Sequence, residues 1–114
     1  MARVIAFVPD LLFGSHVLGA LRAAGHEAVL VDRPESSALA AADVLVVDLT
    51  AEPQHRIGLV EAAGTDGVRT LAFYSHVEPD VRALAEQAGF YLVVPRSRMN
   101  REGPTLVSRL ASGD

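Results

Sequence analysis

The chain has 114 residues, of which half are hydrophobic and few are aromatic, enough for one domain with a single core. Its net charge of −4 lacks the basic excess that a non-specific nucleic-acid or anionic-membrane binder needs. The absence of cysteine excludes disulfides, thiolate catalysis and cysteine-ligated zinc. The first apolar run, residues 4–8, is too short for a signal peptide or a membrane span. We therefore expect one soluble, cytoplasmic domain over residues 1–114.

The N-terminal half of the chain predicts alternating strands and helices. In chain order these are a strand at residues 4–8, a helix from Ser15 to Gly25, a strand at 26–31 and a short helix at 36–41. Pro9 ends the first strand because proline cannot donate to a sheet ladder. Ser15 is a suitable N-cap and Gly25 a suitable residue after the helix C-terminus. The apolar residues 11–13 either begin this helix or form a hydrophobic lip over the strand ends.

The central strand is predicted within residues 42–50. Val44, Leu45, Val46 and Val47 form a continuous branched apolar run that ends at Asp48. Such a run is typical of a strand buried on both faces, as in the middle of a parallel sheet. In an open α/β sheet, ligands bind at the carboxyl ends of the strands, so Asp48 lies where a site is expected.

The C-terminal half continues the alternation of helices and strands. It predicts a helix at residues 53–64, a strand at 70–74, a helix at 79–89, a strand at 90–94 and a final short helix that starts at 103–104. Pro53 and Pro79 lie where a first helical turn tolerates proline, and Gly64 and Gly89 lie where helices commonly end. The apolar residues inside each helical segment recur at the spacing of one helix face.

Strands that alternate with helices predict an α/β fold with a parallel sheet and right-handed crossovers. The doubly wound five-stranded order 2-1-3-4-5, with helices on both faces, fits this length best. In that order the first and third strands are neighbours, so Asp10 and Asp48 converge at the topological switch point of the sheet.

Three segments carry a family resemblance. Residues 25–29 read Gly-His-Glu-Ala-Val, which is similar to a Gly-Tyr-Glu-Val motif, and residues 42–49 are similar to a Pro-Asp-Leu-Val-Leu-Leu-Asp strand. Residues 88–89 match an Ala-Gly pair that closes the fourth helix. Together these segments resemble the receiver domain of bacterial response regulators over nearly the whole chain. The resemblance implies a phosphorylation-switched signalling module.

The resemblance also assigns roles to strand-end residues. Asp48 matches the phospho-acceptor, Ser75 the conserved Thr or Ser, and Arg96 the position of the invariant Lys. Asp10 corresponds to one of the two adjacent acids that hold Mg²⁺ in the family, while Pro9 replaces the other. Asp10 and Asp48 would therefore hold Mg²⁺ only weakly. His76, where the family has a small residue, would narrow access to Asp48.

Each of these residues also has a simpler interpretation. Asp48 either accepts a phosphoryl group or caps the helix at Pro53 or pairs with Arg96. Asp10 is either a metal ligand or a turn residue, and Ser75 either senses a phosphoryl group or ends a strand. Arg96 either forms a bidentate ion pair with the two Asp residues or is a solvated arginine. Its guanidinium group is wide and planar, whereas the ammonium group of the family's Lys is compact.

We expect a stand-alone, atypical receiver-like module that acts through protein contact, with phosphorylation at Asp48 weak or absent. It would not be an enzyme beyond autophosphorylation or dephosphorylation at Asp48. Its unknown partner is a protein, or a second copy bound through the last two helices and the fifth strand. The alternative is a small-molecule module for a nucleotide, flavin or corrinoid, with a pocket lined by Leu11, Phe13 and Tyr74.

Overall fold

The computed structural model describes residues 1–113, so Asp114 of the predicted domain lies outside the described residues. Strands and helices alternate along the whole chain. They are β1 (Arg3–Phe7), α1 (Leu11–Ala23), β2 (Glu27–Val31), α2 (Ser36–Leu39), β3 (Val44–Asp48), α3 (Pro53–Ala63), β4 (Arg69–Tyr74), α4 (Asp80–Gln87), β5 (Leu92–Pro95) and α5 (Arg96–Ala111).

The five strands form one parallel sheet in the order β2-β1-β3-β4-β5, as predicted. β3 lies at the centre and all of its residues are buried. The fold class and strand order predicted from the sequence are confirmed. Because every strand runs in the same direction, all five carboxyl ends lie at one edge of the sheet, and residues that follow the strands are gathered there.

The core consists of two layers, one on each face of the sheet. Val44 and Val46 of β3 pack into the layer covered by α1 and α5. Leu45 and Val47 point to the other face, into the layer covered by α2, α3 and α4. This alternation follows from the two-residue period of a strand. It explains why β3 is apolar at consecutive positions instead of at every second one.

Helix α1 begins at Leu11, earlier than the predicted N-cap at Ser15. Asp10 is the N-cap: its side-chain Oδ1 accepts hydrogen bonds from the backbone N–H groups of Leu12 and Phe13 at 3.0 and 3.1 Å. An aspartate in this position satisfies two N–H groups that lack partners within the helix. The question left open for residues 11–13 is thereby answered, since they form the first turn of α1.

Helix α5 begins at Arg96, so the predicted short helix from residue 103 is wrong. Pro104 lies inside the helix instead of at its start. Five residues on one face of α5 are buried: Met99, Gly103, Leu106, Val107 and Leu110. Packing of this face against the sheet outweighs the loss of one helical hydrogen bond at the proline.

Smaller differences concern the ends of other elements. β2 and β5 begin at Glu27 and Leu92, later than predicted, and α2 ends earlier, at Leu39. Over residues 1–113, none of the helices combines the length and the apolar character needed to cross a bilayer.

Candidate functional site

Four predicted site residues follow strands at the same edge of the sheet. Asp10 comes after β1, Asp48 ends β3, Ser75 comes after β4 and Arg96 comes directly after β5. The parallel topology therefore brings residues that are far apart in the chain to one rim. Their side chains nevertheless have different surroundings.

Asp48 is almost completely buried, with 2% of its surface exposed. Its Oδ1 accepts hydrogen bonds from the backbone N–H of Thr50, at 2.8 Å, and from the Thr50 hydroxyl. Its Oδ2 lies 3.5 Å from Nη1 of Arg56. Both carboxylate oxygens thus face protein groups that neutralise or solvate the charge.

Arg56 is the residue that the sequence reasoning missed. It lies on α3 and is 9% exposed, and its Nη1 also donates to the backbone carbonyl of Asp48 at 3.0 Å. A signal was present, because Arg56 lies four residues before the buried Val60 and next to the buried Ile57, on the inward face of the helix. The cation that pairs with Asp48 therefore comes from α3. Two predicted alternatives for Asp48 are wrong, because its carboxylate neither caps the helix at Pro53 nor pairs with Arg96.

The turn before α3 positions this arginine. Glu52 has φ 47° and ψ 49°, a left-handed conformation that is unfavourable for a residue with a side chain. Such strain persists where the surrounding structure fixes the backbone. Here the turn joins the end of β3 to α3 and allows Arg56 to reach back to Asp48.

Arg96 is exposed and forms no ion pair with Asp10, Asp48 or any other residue in the range 1–113. Its guanidinium instead lies over the ring of Phe13, 4.1 Å from the centroid. The Phe13 ring packs in turn against Phe73 of β4, with centroids 5.2 Å apart. The bidentate pair considered for Arg96 is absent from this part of the chain, and the arginine is held by stacking.

A cleft of about 720 Å³ opens at this edge of the sheet. We call it the strand-end cleft, and it is lined by Asp10, Leu12, Phe13, His16, Ser75, His76, Arg96, Ser97 and Asn100. It brings together Asp10, Ser75 and Arg96 but not Asp48. Of the three residues predicted to line a ligand pocket only Phe13 does so, since Tyr74 is buried in the core and Leu11 lines a different hollow.

The two predicted Mg²⁺ ligands do not fit a cation site in this arrangement. Asp10 uses Oδ1 to cap α1, and Asp48 has both oxygens engaged by Thr50 and Arg56. Only Asp10 lines the strand-end cleft. Residues 1–113 also hold no group of three or more His, Cys, Asp or Glu side chains arranged to bind a metal. Mg²⁺ needs several oxygen ligands in near-octahedral geometry, which these carboxylates do not offer together.

Sequence comparison identifies no relative: no family model matches the chain, and no curated protein does. Solved structures nevertheless share its fold. A response regulator from Thermotoga maritima has a TM-score of 0.74 at 15% identity, covering 96% of this chain and 97% of that chain. A response regulator receiver domain protein from Clostridium thermocellum has a TM-score of 0.74 at 12% identity, covering 99% and 96%.

A third similar structure is NtrX from Brucella abortus, with a TM-score of 0.78 at 14% identity. The alignment covers 98% of this chain but 27% of that chain, so the fold of this chain corresponds to one part of that longer protein. The chain has the receiver-domain fold.

Proposed function

We propose that the chain is a cytoplasmic, receiver-like signalling module that acts through protein–protein contact, with phosphorylation at Asp48 weak or absent. The receiver fold supports a signalling role. The single observation that carries the finer proposal is the enclosure of Asp48 by Thr50 and Arg56.

The chemistry of aspartyl phosphorylation explains why this enclosure matters. A carboxylate oxygen must attack the phosphorus in line while cations neutralise the charge on the phosphoryl oxygens. In this chain the attacking oxygen would first have to give up its hydrogen bonds to Thr50 or its contact with Arg56. Arg96, at the position that resembles the family's Lys, is stacked on Phe13. We therefore propose that the chain is not an enzyme beyond, at most, slow phosphoryl transfer at Asp48.

Incubation with acetyl phosphate and Mg²⁺, followed by intact mass spectrometry, tests this proposal. The expected result is no stoichiometric phosphoryl adduct on the wild-type chain. Asp48→Asn is the control for the acceptor, and Asp43→Asn is the matched control, because Asp43 lies just before β3 and its Oδ2 accepts the backbone N–H of Arg3 instead. A full adduct that forms on wild type and Asp43→Asn but not on Asp48→Asn would overturn the proposal.

The contact itself has two possible forms. One is a different protein, and the other is a second copy of the chain bound through α4, α5 and β5, as the family resemblance implies. Sedimentation velocity of the purified chain separates them, because only self-association makes the sedimentation coefficient rise with concentration.

A further inference from the structure

We propose that the strand-end cleft is the partner-contact surface, and that its occupant is a protein segment carrying a carboxylate beside an apolar side chain. This inference rests on the proposed function, since it names the site and the chemistry of the partner. It depends on two features of the cleft, an exposed leucine in the lining and an arginine without a carboxylate partner.

The cleft exposes a large apolar side chain. Leu12 lines the cleft and is 86% exposed, although it belongs to the first turn of α1. Val77 directly follows the lining residue His76 and is 72% exposed, but it does not itself line the cleft. Both side chains lie outside the two core layers. Leu12 therefore offers apolar surface that a partner can bury.

The polar lining of the cleft favours an anionic group. Arg96 forms no ion pair with any residue among 1–113, and stacking on Phe13 orients its guanidinium while leaving the N–H edge free. Such an edge matches a carboxylate in bidentate geometry. Ser75 and Asn100 supply further hydrogen-bond donors in the same lining.

Negative charge inside the cleft is limited. Asp10 is the one acidic residue among its lining residues, and its Oδ1 is already hydrogen-bonded to the first turn of α1. Glu78 and Asp80 follow Val77 in the chain but do not line the cleft. Arg96 and Asp10 contribute one positive and one negative charge to the lining, so the cleft has no net charge when histidine is counted as neutral, whereas the whole chain carries −4. The unpaired guanidinium of Arg96 is therefore the group that selects a carboxylate on the partner segment.

The size and composition of the cleft fit a short segment. The cleft is open to solvent, and its volume of about 720 Å³ is enough for a few side chains of a bound segment. Arginine is among the residues that contribute most to binding at protein interfaces, and aromatic residues, phenylalanine included, are enriched there. Arg96 stacked on Phe13 supplies both types at one point of the cleft.

Selection of a random peptide library on the immobilised full chain tests this inference. The enriched peptides are expected to share an Asp or Glu next to Leu, Ile or Phe. A synthetic copy of the most enriched peptide is then titrated by calorimetry against variants. We expect Arg96→Met and Leu12→Ser each to weaken its affinity by about tenfold or more, because charge-assisted hydrogen bonds and apolar burial are lost.

Two neighbouring residues provide matched controls. Arg98 lies on the same helix but pairs with Glu102 and lines another hollow. Leu11 is 76% exposed, like Leu12, but does not line the strand-end cleft. Arg98→Met and Leu11→Ser should therefore bind the peptide as wild type does. Circular dichroism of each variant establishes that the fold is retained.

Several results would overturn the inference. These are the failure of any peptide to enrich, the enrichment of peptides without an acidic residue, and equal binding to wild type and to Arg96→Met. An increase in melting temperature with AMP, FMN or cobalamin that is lost in Arg96→Met would assign the cleft to a small molecule and would also overturn it. The outcome is separable from that of the proposed function, because the Asp48 adduct is measured without any peptide.

Discussion

Arg56 and Asp48 form an ion pair in which both side chains are nearly inaccessible to water. Removing two charges from water is unfavourable, and a buried pair offsets that penalty when further hydrogen bonds satisfy the remaining polar atoms. Thr50 and the backbone carbonyl of Asp48 provide those bonds here. We expect this pair to hold the carboxyl end of β3 and the start of α3 in one arrangement without a metal or a phosphoryl group.

Substituting Arg56 tests how strongly the pair stabilises the fold. Arg56→Met keeps most of the side-chain volume but leaves the Asp48 carboxylate buried without its cation, and we expect a loss of about 3 kcal/mol in the free energy of unfolding. Adding Asp48→Asn removes the uncompensated charge and should recover part of the loss. Urea unfolding followed by circular dichroism measures both effects.

The matched control for this prediction is Arg82→Met. Arg82 and Glu86 form an exposed pair on α4 at 3.5 Å, and pairs of this kind contribute less than about 1 kcal/mol. A similar loss of unfolding free energy in Arg56→Met and Arg82→Met would show that the buried pair stabilises the fold no more than an exposed pair does.

At the scale of one element, α1 shows how close packing and exposure occur in the same helix. Gly14 lies where a Cβ atom would come within 3.0 Å of the Leu30 side chain and of the Val8 carbonyl oxygen. Gly19, further along the same helix, has no atom within 4 Å of such a Cβ. The close approach at Gly14 places the first turn of α1, and with it Leu12 and Phe13, directly over the strand ends.

The two glycines therefore predict opposite effects of the same substitution. Gly14→Ala should destabilise the chain by about 1 kcal/mol or more, because the backbone oxygen of Val8 cannot move aside easily. Gly19→Ala should stabilise it by up to about 1 kcal/mol, because alanine is the better helix former and meets no neighbour. Chemical unfolding of both variants measures the change in the free energy of unfolding. Equal changes of the same sign would contradict the prediction.

In helix α5, tertiary packing outweighs a local signal. Pro104 taken alone predicts the start of a helix, but the buried face extends from Met99 to Leu110, on both sides of the proline. Ser108 helps to fix this helix, since its hydroxyl donates to the carbonyl of Pro104 and lies 3.0 Å from Nε2 of His26. Because Nδ1 of His26 accepts the backbone N–H of Ala2, Nε2 carries the proton and is the donor to Ser108.

The whole molecule is held together by the two core layers that meet at β3. Leu45 is fully buried in the layer under α3 and α4. Truncating a leucine in such a position loses its burial and leaves a cavity, which together reduce stability by about 2–5 kcal/mol. A domain of this size has a total stability of about 5–15 kcal/mol, so the loss would be a large fraction of the total.

Leu45→Ala and Leu12→Ala form a matched pair for this prediction. The first should lower the unfolding midpoint strongly, and the second should change the free energy of unfolding by less than about 0.5 kcal/mol because Leu12 is exposed. Thermal and urea unfolding provide the measurement. A comparable loss in both variants would mean that Leu12 belongs to the core instead of to a contact surface.

The sequence by itself determined the architecture of this protein. The branched run that ends at Asp48 predicted a central strand buried on both faces, and the alternation of strands and helices predicted a parallel sheet. The order 2-1-3-4-5 is the one that fits this chain length best, and the structure has that order. The parallel direction also required Asp10, Asp48, Ser75 and Arg96 to lie at one edge. These features depend on local periodicity and on general rules of chain topology, which can be read without coordinates.

Only the tertiary structure decided which side chains meet at that edge. The partner of Asp48 is Arg56, a helix residue whose reach depends on the left-handed turn at Glu52, and no local pattern specifies that turn. Arg96 stacks on Phe13 because α1 begins early enough to place that ring over the strand ends. Side-chain contacts of this kind arise from the packing of elements distant in sequence, so they become visible only once the packed fold is known.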